Sequence, residues 1–191
     1  MLRPPGEVLE FWFSERARPL WFEKNAPFDD EIRARFGANV AAANVGDLDF
    51  WVRAGDSSLA LVLLLDQFPR NIHRGTPRAF ASDARARTMA STAIDRGFDR
   101  HARPDRRFFF YMPFEHSEDP ADQARSVALF RRWLQEYQGA GRKEAEEMMD
   151  YVVRHQEVID RFGRFPHRNA ILGRESTPEE LAFLAGPNSS F

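Results

Sequence analysis

The sequence predicts an all-α protein, with about eight helices joined by short connectors into an array of antiparallel hairpins in one domain spanning residues 1–191. Three observations predict this. Capping residues followed by proline recur where helices would start. Between them, apolar residues recur at spacings of three and four. No segment shows the clean two-residue alternation of a half-buried strand.

In chain order the helices are expected at 5–14, 29–44, 57–68, 77–96, 104–111, 120–138, 142–162 and 178–185. The first follows Pro4-Pro5. Residues 59–65 have no polar face, so periodicity alone allows a buried strand or a buried helix. Their leucine richness and the Asp56-Ser57 start favour helix. Thr76-Pro77, Asp119-Pro120 and Thr177-Pro178 each place a capping oxygen before a proline at the first helical position, where a missing N–H costs nothing. Glu180 completes a capping box with Thr177. Val127, Phe130, Leu134 and Tyr137 mark the buried face of one helix, and Met148, Val152, His155, Ile159 and Phe162 that of the next. No tetratricopeptide-length repeat is present, but Phe68-Pro69-Arg70-Asn71 and Phe165-Pro166-His167-Arg168-Asn169 differ by one inserted His, which suggests equivalent elbows ending two buried helices.

Lys and Arg (27) nearly balance Asp and Glu (29), so no basic field is available to hold nucleic acid or an anionic membrane. Without Cys, disulfides, thiolate catalysis and cysteine-based zinc sites are excluded. Pro4-Pro5-Gly6-Glu7 stands where a secretory signal would have an apolar core, and the run 59–65 is too short to span a bilayer. A cytoplasmic location is the expectation.

The chemistry is concentrated in connectors. Asp66, Arg70, Asn71 and Arg74 follow the third expected helix. Arg164, His167, Arg168, Asn169 and Arg174 follow the seventh. Arginine's planar fork matches a carboxylate or phosphate, and two such elbows facing each other would grip a small anion. The same arginines could instead staple helix ends to carboxylates. Glu115-His116-Ser117-Glu118-Asp119 precedes the proline-started sixth helix. There a His among carboxylates could serve as a general base or help bind a divalent cation, or the group could cap the helix. His155, on an apolar face, reads first as a hydrogen-bonded core residue. Ser117 lacks the context of a nucleophile elbow. The aromatic sets at 11–13, 21–22 and 108–110 read as packing.

These motifs carry a resemblance. Residues 8–13 (VLEFWF), 64–71 (LLDQFPRN), 113–119 (PFEHSED), 161–169 (RFGRFPHRN) and 172–180 (LGRESTPEE) are similar, in order and over nearly the whole chain, to those of the bacterial family called domain of unknown function 924. The resemblance implies an all-α fold like that of tetratricopeptide arrays, and no assigned activity.

Three functional readings remain open. In the leading one, a small anionic molecule is bound or converted in a pocket formed by the two elbows and residues 115–119. Asp66, Arg70, Asn71, Arg164, Arg168 and Asn169 would contact it, and Glu115, His116 and His167 would carry any catalysis. The second is metal-assisted hydrolysis by Glu115, His116 and Glu118 with His155 or His167. The third is a non-catalytic helical scaffold that binds protein segments. The sequence names no cofactor and does not decide whether the protein is an enzyme.

Overall fold

The computed structural model describes residues 1–137, 141–187 and 189, and among these residues the chain is all-α with no strand. Its contacts cluster into two units. One comprises Met1–Arg74 with Arg78–Pro113, the other Gly75–Pro77 with Phe114–Phe191. No helix among the described residues is long and apolar enough to cross a membrane.

The first unit is built around α3 (Gly55–Leu65), whose residues from Ser58 to Leu65 are all buried. The missing polar face has a direct cause. α1 (Pro5–Trp12), α2 (Ala26–Val45) and α5 (Asp83–Asp95) all pack against this helix. Each fully buried leucine contributes roughly 1.5–3 kcal/mol of transfer free energy. The Asn25 side chain caps α2 by accepting from the Phe28 N–H, and Gly46 ends it in the left-handed region at φ 93°. The expected helix 57–68 stops early, at Asp66, and a separate α4 (Gln67–Ile72) follows. Pro69 is the physical reason. It has no N–H and its ring clashes with a continuing helix, but it fits the first turn of a new one.

The expected helix 77–96 is likewise divided. Pro77 opens a single 3-10 turn, Pro77–Ala79, and α5 begins only at Asp83. Ser82 is tied there by donating its hydroxyl hydrogen to the Leu65 carbonyl at 2.7 Å. Two short helices follow, α6 (Phe98–His101) and α7 (Pro104–Arg107). The expected helix 104–111 continues as a 3-10 turn, Phe108–Phe110, whose three rings are all buried. One of these rings, Phe109, packs edge-on against Trp12, Phe13 and Trp21. A further turn, α8 (Met112–Glu115), closes the series.

In the second unit, α9 (Pro120–Glu136) packs against α10 (Arg142–Phe162). The Asp119 carboxylate caps α9 by accepting from the Ala121 N–H at 2.8 Å. The far end expected for α9, Gln138, lies outside the described residues. The bounds of α10 are those expected, and Gly163 ends it at φ 65°. A 3-10 turn, Pro166–Arg168, leads into α11 (Asn169–Leu172) and then α12 (Pro178–Leu184), where the capping box of Thr177 and Glu180 is formed. Val158, Ile159 and Phe165 form a core against which Phe162 and Phe183 pack. The α-helices thus outnumber the eight expected, the additions being short ones.

Candidate functional site

The two Phe-Pro elbows differ in local structure and belong to different units. The first lies inside α4, the second in the 3-10 turn before α11. In the first unit, Asp66 is fully buried and accepts from the Gln67 side chain at 2.6 Å. Arg70 binds both oxygens of Asp83, at 3.0 and 3.1 Å, and reaches the Asp66 carbonyl at 2.7 Å. Asn71 and Arg74 both donate to Asp29 on α2, at 2.8 to 2.9 Å. These contacts are what a staple between α2, α4 and α5 requires.

In the second unit, Gln123 is buried on α9 and donates to the carbonyls of Glu115 and Ser117, each at 2.6 Å. That fixes the connector before α9. Ser117 donates to Asp122 at 2.7 Å and accepts from the Asp119 N–H, so its hydroxyl serves the helix start. Glu118 accepts from the Phe165 N–H at 2.8 Å and from both ends of the Arg174 fork at 2.7 and 2.9 Å. Burial alone would raise the Glu118 pKa, but hydrogen bonds from Arg174 and Phe165 outweigh it and hold the carboxyl below its ordinary range. Glu180 is a second knot. It accepts from Arg164 at 2.6 and 2.8 Å, from the Thr177 N–H at 2.8 Å and from Asn169 at 3.2 Å. The Arg164 guanidinium first, with Thr177 and Asn169 helping against burial, holds Glu180 down at about 2. Arg164 and Asn169 are thus engaged with a carboxylate of their own unit.

A different set of side chains converges between these knots. Nδ1 of His155, on α10, lies 3.2 Å from Oε1 of Glu115 and 2.9 Å from the Tyr151 carbonyl. Both His155 and Glu115 expose 2% of their surface. The His155 ring centre is 6.4 Å from that of His116, 4.7 Å from Tyr151 and 5.5 Å from Phe165, and Phe165 is 5.6 Å from His167. The Arg168 guanidinium, at the end of the 3-10 turn, sits 4.6 Å from the Phe165 ring centre.

The electrostatics follow from burial and from Arg168. Burial pushes the His155 imidazole well below its usual value. The Tyr151 carbonyl opposes this, and His116, Arg168 and His167 add to it. Burial likewise lowers His167, with Arg168 the next cause, to about 4. Burial and the Glu115 carboxylate raise the Tyr151 phenol to about 12. At neutral pH both histidines are therefore uncharged and the phenol is protonated, beside one buried carboxylate and one buried guanidinium.

Of the residues singled out from sequence, Glu115, His116, His167 and Arg168 come together here, joined by His155. Tyr151 was missed. The available signal was its place one turn before His155 on the same face of α10. No set of three or more His, Asp or Glu among the described residues is arranged to hold a metal ion, and the Glu118 carboxylate is engaged by Arg174. Elsewhere on α10, an open groove is lined by Val158, Phe162 and Phe183 and edged by Arg154, Glu157 and Arg161.

The model of a family described as bacterial proteins of unknown function, DUF924, matches residues 8–188. A solved structure of a protein of unknown function from Agrobacterium tumefaciens is 44% identical in sequence. It matches 94% of this chain and 96% of its own with a TM-score of 0.81. No curated protein matches. The chain belongs to the DUF924 family.

Proposed function

We propose that this family member binds a small anion, a carboxylate or phosphate compound, at the cluster of Glu115, His116, Tyr151, His155, His167 and Arg168. Arg168 is the anion-binding cation, and His116 and His167 are hydrogen-bond donors. The helix pair α9 and α10, read as one hairpin of a tetratricopeptide-like array, holds the cluster on one side.

The observation that supports this reading is the setting of Arg168. It is 7% exposed, stacks on Phe165, and adds to the lowering of two nearby imidazoles that burial chiefly causes. A guanidinium withdrawn from water concentrates positive potential in a region of reduced dielectric, where an anion gains more than it would at the surface. An imidazole kept neutral by burial and by that potential takes up a proton when an anion arrives, adding a charge-assisted hydrogen bond to the complex.

The test is a thermal melt with inorganic phosphate and with short dicarboxylates. A ligand that binds only the folded chain adds about 2.7 kcal/mol at a hundred times its Kd. The reading predicts stabilisation by at least one of these anions and its loss in Arg168→Met. Stabilisation of equal size in that variant, or none in the natural chain, contradicts it.

A further inference from the structure

We propose that the groove along the C-terminal half of α10 binds a free α-amino acid with a large apolar side chain. Arg154 takes its carboxylate, Glu157 its ammonium, and Phe162 and Phe183 its side chain. This site is separate from the Arg168 cluster and does not rest on the anion-binding reading.

The shape sets the size of the ligand. Residues 154, 157, 158, 161 and 162 recur at spacings of three and four, so they share one face of α10, and Phe183 of α12 lines the groove with them. Phe162 and Phe183 meet at ring centres 5.2 Å apart, tilted by 53°, and both pack on the core that contains Val158. Neither ring is fully buried, so part of each forms the apolar floor. The volume of about 330 Å³ lies at the small end of the roughly 300–1,000 Å³ typical of small-molecule sites, which suits a molecule of amino-acid size.

The charges decide its class. Three charged side chains line the groove, and they are not equivalent. Arg161 gives Nε and Nη2 to Glu179 on α12, at 2.9 and 2.8 Å, so its charge is met within the fold. The Arg154 guanidinium lies 5.2 Å from the Tyr151 ring centre, a contact that steadies its plane and uses none of its N–H donors. Among the described residues the Arg154 side chain makes no ion pair or hydrogen bond, and neither does that of Glu157. Helix positions three apart place their Cβ atoms about 5–6 Å from each other. One unmet cation and one unmet anion at that spacing, beside an apolar floor, match a carboxylate, an ammonium and an apolar group carried on a single carbon. An apolar acid would bring its charge beside the Glu157 carboxylate, and an apolar amine would bring its charge beside Arg154. The zwitterion meets both with charge-assisted hydrogen bonds.

The experiment is calorimetric titration of the full chain with L-phenylalanine, compared with 3-phenylpropionate, which lacks the ammonium, and phenethylamine, which lacks the carboxylate. NMR of the aromatic rings locates the site. L-Phenylalanine is expected to bind saturably, to shift the Phe162 and Phe183 resonances, and to bind about tenfold more tightly than either analogue. In Arg154→Gln its advantage over phenethylamine should disappear, and in Glu157→Gln its advantage over 3-phenylpropionate. Both substitutions fall on the groove surface, outside the core. Arg168→Met should leave all three affinities unchanged, even where it abolishes stabilisation by phosphate, which separates this site from the anion-binding cluster. Absence of saturable binding, or a preference for L-phenylalanine that survives both groove substitutions, overturns the proposal. Ring shifts confined to the Arg168 cluster and lost in Arg168→Met overturn it as well.

Discussion

Both carboxylate oxygens of Glu118 accept hydrogen bonds from the Arg174 guanidinium, at 2.7 and 2.9 Å, and one of them also accepts from the Phe165 N–H at 2.8 Å. This contact joins the connector before α9 to the segment after α10, and so holds both sides of the His cluster. Replacing Arg174 with Met leaves a half-buried carboxylate without its main cation. Fully buried pairs cost about 3–5 kcal/mol when broken. Here the side chains are 24% and 29% exposed, and solvent screening lowers the expected loss to roughly 1–3 kcal/mol. Urea unfolding of Arg174→Met measures it.

Glu180 predicts an acid limb. Its folded pKa is about 2 against 4.5 for an ordinary glutamate, so between these values the unfolded chain binds more protons. The stability Glu180 contributes is complete above pH 4.5 and is lost as pH falls toward 2. The stability difference between the natural chain and Glu180→Gln should therefore shrink across that window. A difference independent of pH would contradict the Arg164–Glu180 contact.

At the opposite end of the same capping box, Thr177→Ala removes the hydroxyl that accepts from the Glu180 N–H at 3.2 Å. The expected cost is ~1 kcal/mol. Melts in phosphate and in its absence should show the same increment of stabilisation as the natural chain.

His167 reports the field of Arg168. With a folded pKa of about 4 and an ordinary value of 6.5, its native form sheds protons that the unfolded chain binds, so stability rises with pH between these limits. His155, also lowered, adds to the slope. In Arg168→Met one depressing charge is gone, and the His167 resonance should titrate above its value in the natural chain. An unchanged titration midpoint would show that Arg168 does not act on it.

How much of this was legible in the sequence depended on whether the signal was local. α10 could be bounded because one amphipathic stretch runs between Gly141 and Gly163, and α12 because Thr177-Pro178 and Glu180 specify a start. The break at Asp66 was not legible from periodicity, since Leu65 and Phe68 continue the apolar pattern while Pro69 ends the ladder. Thr76-Pro77 has the same composition as a helix start but opens only a 3-10 turn. In the candidate site, Glu115, His116, His167 and Arg168 stood out as polar groups in connectors. The approach of Glu115 to His155 depends on packing between distant segments. Tyr151 was hidden for a different reason: an aromatic on an amphipathic helix looks the same whether it packs or bounds a site.

The most direct test of the anion-binding reading is calorimetric titration of the natural chain with phosphate or a dicarboxylate at about pH 5.5, repeated in buffers of different ionisation enthalpy. A bound anion offsets the field of Arg168 and raises the lowered imidazoles, so binding draws protons from the buffer below the ordinary histidine pKa of about 6.5. The account predicts saturable binding with net proton uptake, both absent in Arg168→Met. Binding whose heat does not depend on the buffer and survives in Arg168→Met, or no binding at all, would contradict it.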